Sequence, residues 1–176
     1  IVLAGFVAVR GDPFLALLLA VGIAALGAST AEAKKRRNLA TSEWGYKTLT
    51  AAHEALAGER FDEALALMKK MSERKSLNDH EKALMWQTTA YIQTAKEQYA
   101  AAIESFEKCL ALDALPDAAA LATEYNLGQL FMSERRYEDA IAQYTALIDA
   151  KKDVYLASLG RANSYRQLQR WDEAIA

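Results

Sequence analysis

The sequence predicts an all-α chain built as a solenoid of antiparallel helix hairpins, and three observations carry that expectation. Breakers are scarce, since 8 Gly and 2 Pro in 176 residues leave little material for the turns of a many-stranded sheet. Ala, Leu, Glu, Lys and Arg dominate, and these residues lose least on entering a helix. One short phrase also recurs four times, as Phe61-Asp62-Glu63-Ala64-Leu65, Tyr99-Ala100-Ala101-Ala102-Ile103, Tyr137-Glu138-Asp139-Ala140-Ile141 and Trp171-Asp172-Glu173-Ala174-Ile175. Its alanines lie 38, 38 and 34 residues apart. A period of that size is the signature of a helix pair that cannot bury its apolar face alone and must stack on the next pair.

Taken in chain order, the first element is an apolar leader, which the mean hydropathy of -0.09 conceals. No side chain from Pro13 to Ala31 is charged, and the run from Phe14 to Ile23 is densely apolar. Ala31-Glu32-Ala33 then has the small-x-small form of a signal-peptidase site. Residues 1–33 therefore read as a secretory signal peptide cleaved before Lys34. A retained membrane anchor stays open beside that reading, because about 19 uncharged residues is the low edge of spanning length and the basic cluster suits a cytoplasmic flank. Residues 34–43 form a basic linker. Its Lys34, Lys35, Arg36 and Arg37 read either as a solvated arm or as a contact with an anionic membrane surface or a partner.

The repeated phrase suits the start of a second helix. Its aromatic packs back on the preceding helix, its acids complement the positive end of the helix dipole, and its alanine lets two helices cross closely. Four small residues, Ala52, Ala90, Gly128 and Ala162, each lie 12 positions before that alanine. A large residue follows it by four positions, as Met68, Phe106 and Tyr144, and the fourth repeat is cut at Ala176 before its own arrives. The two longer spacings put extra residues at 75–80 and 113–117, where Asn78 followed by Glu81 reads as a helix cap with its reciprocal acid.

Chemistry of other kinds is excluded or disfavoured. One cysteine forbids an internal disulfide and a multi-thiolate zinc site, and Cys109 reads as a packing thiol. A formal charge of -2, from 21 Lys+Arg against 23 Asp+Glu, offers no field for nucleic acid. The glycines form no phosphate-binding loop, so no cofactor is expected. His53 and His80 lack the second histidine of a zinc-protease helix, so no metal is expected either. His80 reads as a surface or capping residue. The acid pairs Asp62-Glu63, Glu138-Asp139 and Asp172-Glu173 repeat at equivalent positions, which marks solvated helix starts, so no catalytic residue is assigned and the chain is expected not to be an enzyme.

A small residue in the first helix, an aromatic and alanine opening the second and a large residue four positions later resemble the tetratricopeptide repeat. The resemblance covers 44–176, as about 3.5 repeats at 44–76, 81–114, 119–152 and a truncated 154–176. Two departures stand: the first-helix Trp appears only as Trp86, and Pro116 is the one proline near a link. The resemblance implies a right-handed superhelix whose concave face binds a protein or an extended peptide. Carried over by register, its groove positions fall on Tyr46, Leu49 and His53; Gln87, Tyr91 and Thr94; Tyr125, Gln129 and Met132; and Leu159, Asn163 and Arg166. Aromatic and amide groups suit an extended peptide, which needs hydrogen-bond partners and apolar area. The Lys, Arg and Asn clamp by which some relatives hold a C-terminal carboxylate is absent from these positions.

Basic residues after a leader, then Tyr46 and Leu49, then Leu77-Asn78 and Leu115-Pro116 in successive links are also similar to the periplasmic tetratricopeptide proteins encoded beside TonB, ExbB and ExbD. That similarity implies a non-enzymatic periplasmic scaffold accessory to outer-membrane transport, with a TonB, ExbB or ExbD component as partner. Two alternatives stay open: an inner-membrane-anchored assembly factor, and accessory repeats of an enzyme whose catalytic domain lies beyond residue 176.

Overall fold

The structure, a computed structural model, describes residues 39–152 and 154–175, all helix, turn or connecting segment. Eight helices follow in order among these residues: α1 Glu43–Ala57, α2 Phe61–Ser72, α3 Asp79–Ala95, α4 Tyr99–Ala111, α5 Asp117–Ser133, α6 Tyr137–Asp149, α7 Val154–Gln167 and α8 Trp171–Ala174. They pair as hairpins α1/α2, α3/α4, α5/α6 and α7/α8, and each second helix also packs on the first helix of the next pair. The odd-numbered helices form an inner layer and α2, α4 and α6 an outer one. This is the all-α tetratricopeptide-type solenoid that the repeated phrase predicts. The leader and the basic cluster at 34–37 lie outside the described residues. No helix among the described residues is long and apolar enough to cross a membrane.

The phrase does the packing its chemistry suggests. Ala64, Ala102 and Ala140 are fully buried, as are Ala52 and Ala90 opposite them. Met68, Phe106 and Tyr144 fill the space between successive hairpins. Burying side chains of this size contributes about 1.5–3 kcal/mol each, so these three are principal stabilisers of the stack. Tyr91 touches the apolar clusters on both sides of it and joins them into one core. The acids at the helix starts are solvated. In three hairpins the residue before the aromatic is Arg, paired with an acid three positions on: Arg60 with Glu63, Arg136 with Asp139 and Arg170 with Glu173.

Each inner helix stops in the same way. The amide of Arg60, Gln98, Arg136 or Arg170 donates back to the carbonyl of Ala55, Gln93, Phe131 or Tyr165 at 2.8–3.0 Å. That closure puts Glu59, Glu97, Arg135 and Gln169 in the left-handed region at φ 57–58°. Glycine is the usual residue at this point because it alone adopts that conformation without a Cβ penalty. Here the stacking that follows holds four ordinary residues in it.

The links between hairpins are tighter than the sequence suggests. Inner helices begin at Glu43, Asp79 and Asp117, one or two residues before the predicted repeat starts at 44, 81 and 119. Leu77 and Leu115 are buried and pin the two longer links to the core. The predicted cap at Asn78 forms in full, its side chain accepting from the Glu81 amide and the Glu81 carboxylate accepting from the Asn78 amide. The reading of His80 needs correction. It is 6% exposed, and its Nδ1 lies 2.7 Å from the Ala114 carbonyl, so it ties hairpin 2 to the following link. Helix α3 begins before His80 and turns the side chain inward, which a loop at 75–80 would not. Cys109 is buried against Ala83 and Leu115, and burial pushes its thiol up to about 12.

Candidate functional site

The twelve predicted groove residues all lie on α1, α3, α5 and α7, and four of them, His53, Gln87, Tyr91 and Met132, bond to the next inner helix. His53 Nε2 on α1 lies 3.1 Å from Thr88 Oγ1 on α3. Gln87 donates to Thr123 Oγ1 on α5 at 2.8 Å. Asn126 on α5 donates to the Tyr91 hydroxyl at 3.4 Å, and Ser164 on α7 donates to Met132 Sδ at 2.8 Å. The groove positions of one hairpin thus meet a stripe on the next that includes Thr88, Asn126 and Ser164. The sequence reading missed this stripe. Its signal is a buried hydroxyl or amide on an otherwise apolar helix face, which needs a partner when taken out of water.

The structure therefore divides the twelve. Leu49 and Thr94 are buried: Leu49 lies in the core of hairpins 1 and 2, and the Thr94 hydroxyl donates to the Ala90 carbonyl one turn back. Neither presents a surface to a ligand, because the next inner helix packs over them. Tyr46 is 65% exposed, and Leu159 is 50% exposed. His53 and Arg166 are exposed, while Gln87, Tyr91, Tyr125, Gln129, Met132 and Asn163 are half-buried. His53 is exposed as a residue, but desolvation of its ring where it meets Thr88 lowers its pKa from the ordinary imidazole value. Burial pushes the Tyr91 hydroxyl up to about 12, against the opposing pull of the Asn126 bond.

Around α5 the wall has a different character. Tyr125 and Gln129 are four residues apart, which places them on one face. The Tyr125 ring leans on Tyr144 with centroids 5.7 Å apart. Gln129 occupies the position that His53 and Tyr91 hold in the earlier hairpins, where they meet Thr88 and Asn126. In repeat register the α7 residue equivalent to Thr88 and Asn126 is Gly160, which has no side chain to offer. Glycine is required there, because a Cβ on Gly160 would come within 2.5 Å of the Tyr144 ring, and one on Gly128 within 2.7 Å. Tyr144 is slotted between the two glycines, and the Gln129 side chain has no hydrogen-bond partner among the described residues.

Two family models, both described as tetratricopeptide repeat, match residues 83–114 and 125–176. The chain carries tetratricopeptide repeats. The matched stretches take in most of α3 and all of α4, then about half of α5 with all of α6, α7 and α8. No curated protein matches the chain. Tetratricopeptide repeats are in general non-catalytic and bind proteins or peptides, and the arrangement here fits that use. Among the described residues no three His, Cys, Asp or Glu side chains come close enough to hold a metal ion.

Proposed function

We propose that the chain is a periplasmic scaffold that binds another protein through the inner layer of its tetratricopeptide repeats, chiefly at Tyr125 and Gln129. The observation that supports this reading is the Gln129 side-chain amide, which has no hydrogen-bond partner among the described residues, at the register position from which His53 and Tyr91 of the earlier hairpins meet the neighbouring helix. An amide beside an aromatic ring gives an extended peptide both a backbone hydrogen-bond partner and apolar area. Tyr91 keeps its hydroxyl proton for a further acceptor, because it accepts from Asn126 and does not donate to it. The partner we propose is a component of the TonB, ExbB and ExbD machinery, on the similarity of the leader and the link residues. The leader supports export, with release before Lys34, and the basic cluster after it supports contact with an anionic surface.

Copurification from envelope extracts tests the reading. The full chain is expected to retain a TonB-system component, and Tyr125→Ala with Gln129→Ala is expected to lose it while keeping its helix content. Retention by the double variant, or recovery of cytoplasmic proteins alone, contradicts the proposal. N-terminal sequencing of the exported protein is expected to begin at Lys34, and an intact leader on a membrane-bound product would favour the anchored alternative.

A further inference from the structure

One edge of the stack gathers cations that stand outside any ion pair. Lys69 and Lys70 lie in the last turn of α2, and Arg74 and Lys75 follow in the link to α3. All four are exposed, and none is in an ion pair among the described residues. The Arg74 guanidinium lies 4.3 Å from the centre of the Trp44 ring, which brings this link beside the start of α1. The acids nearby are largely spent. Glu43 is bridged to Lys47 and Asp79 to Lys82, while Glu81 is buried, bonded to Ser42 and within the field of Arg74, which leaves Glu73 exposed among the cations. Stacking leaves such an edge open. The equivalent Glu107, Lys108 and Asp113, 38 residues on, stay exposed in hairpin 2, which has a hairpin on either side. Their charges are mixed, so the basic character belongs to hairpin 1. Its opposite edge is acidic, with Glu54, Glu59, Asp62 and Glu63 set against Arg60 and Lys96.

The start of the described chain is tied to the same place. The Ala40 carbonyl accepts from the Asn78 side chain at 2.8 Å, and Ser42 is bonded to Glu81. Arg37 precedes Ala40 by three residues and Lys75 precedes Asn78 by three, and three residues reach at most about 11 Å. The cations at 34–37 and those at 69–75 therefore act at one edge of a chain whose formal charge is -2. We propose that this edge rests on the surface of an anionic phospholipid bilayer. Lysine is a flexible, hydrated point charge, and a row of separated lysines suits a surface that asks for charge without fixed geometry. A single bound phosphate would instead need donors converging on one point. The proposal carries the anionic contact read for 34–37 into the folded repeats and turns the acidic edge away from the lipid. It is independent of any partner at Gln129.

Vesicle flotation of the full chain tests this. Vesicles of phosphatidylglycerol mixed into phosphatidylcholine are compared with phosphatidylcholine alone, so that any insertion of the apolar leader counts in both. The unaltered chain is expected to prefer the anionic vesicles. Lys69→Gln with Lys70→Gln and Lys75→Gln is expected to weaken that preference about a hundredfold, since each cation near such a surface counts for about fivefold. The three lysines are exposed and Arg74 keeps its place on Trp44, so the variant keeps the fold, which helix content checks. Full preference in the triple variant overturns the proposal and leaves the contact to 34–37 alone. No preference in the unaltered chain overturns both readings. Loss of the preference to millimolar inorganic phosphate, but not to chloride of equal ionic strength, overturns the proposal too, because a phosphate site and not a surface then holds the anion.

Discussion

The first and third seams of the stack are built by opposite means. Between hairpins 1 and 2 directed polar bonds run beside the apolar core of Leu49, Met68 and Ile92: His53 meets Thr88, and Glu81, 2% exposed, accepts from the Ser42 hydroxyl at 2.6 Å and the Ser42 amide at 2.9 Å. Asn78 completes it by donating to the Ala40 carbonyl at 2.8 Å. Between hairpins 3 and 4 the contact is steric, with the buried Tyr144 ring held between Gly128 on α5 and Gly160 on α7. The polar seam fixes register through directed bonds and responds to pH. The steric seam fixes it through shape and responds to a single added methyl. It also leaves the Gln129 side chain without a hydrogen-bond partner among the described residues, so the means of packing decides where the wall keeps groups for a ligand.

Breaking the steric seam has the largest expected effect. Tyr144→Ala removes a ring from a fully enclosed site and is expected to cost about 3–5 kcal/mol, read as a lower urea midpoint. Gly160→Ala separates shape from propensity. Ala is the better helix former by about 1 kcal/mol, yet overpacking against the ring costs about 1–3 kcal/mol. A net loss of stability is expected, and a gain would show that Tyr144 moves aside easily.

The polar seam is probed at Glu81. Burial pushes its carboxyl up, but hydrogen bonds from Ser42 and Asn78 and the nearby Arg74 outweigh that and hold its pKa below the usual carboxylate value. A lowered folded value means stability that is present above the unfolded pKa and is lost as pH falls through the folded one. Glu81→Gln still accepts from Ser42 but turns an N–H donor toward the Asn78 amide. It is expected to cost about 1–3 kcal/mol at pH 7. It is also expected to flatten the fall in stability on the acid side of pH 4.5, which denaturant titrations at stepped pH would read. An unchanged acid slope would remove Glu81 from the account.

The smallest effect is expected at the turns and is a gain. Glu97→Gly relieves a left-handed residue at φ 58° and is expected to add about 0.5–1 kcal/mol, net of the entropy glycine brings to the unfolded chain. An equal gain from Arg135→Gly would show that the turn acts alike in both hairpins, whatever the seam beside it.

The repeat and its small-to-large packing were legible because they obey a spacing rule that survives in one dimension. Ala64, Ala102 and Ala140 identify themselves by position, as do Met68, Phe106 and Tyr144. The turns were harder to read, because Glu59, Glu97, Arg135 and Gln169 take a conformation that sequence normally announces with glycine. His80 misled because it lies in a stretch rich in turn residues, while α3 starts one residue before it. The candidate wall was legible in register but not in exposure. Whether a groove position serves a ligand or the next helix depends on what the next helix offers in register, a hydroxyl at Thr88 for His53 and no side chain at Gly160 for Gln129.

The central claim is that the inner wall at α5 is the binding surface, and photo-crosslinking in cells tests it most directly. A photoreactive residue at Gln129 is compared with one at Ala100, an exposed position on α4. Capture of one envelope protein from Gln129 and none from Ala100 is the expected result. Equal capture from both positions, or capture from Ala100 alone, would contradict the account.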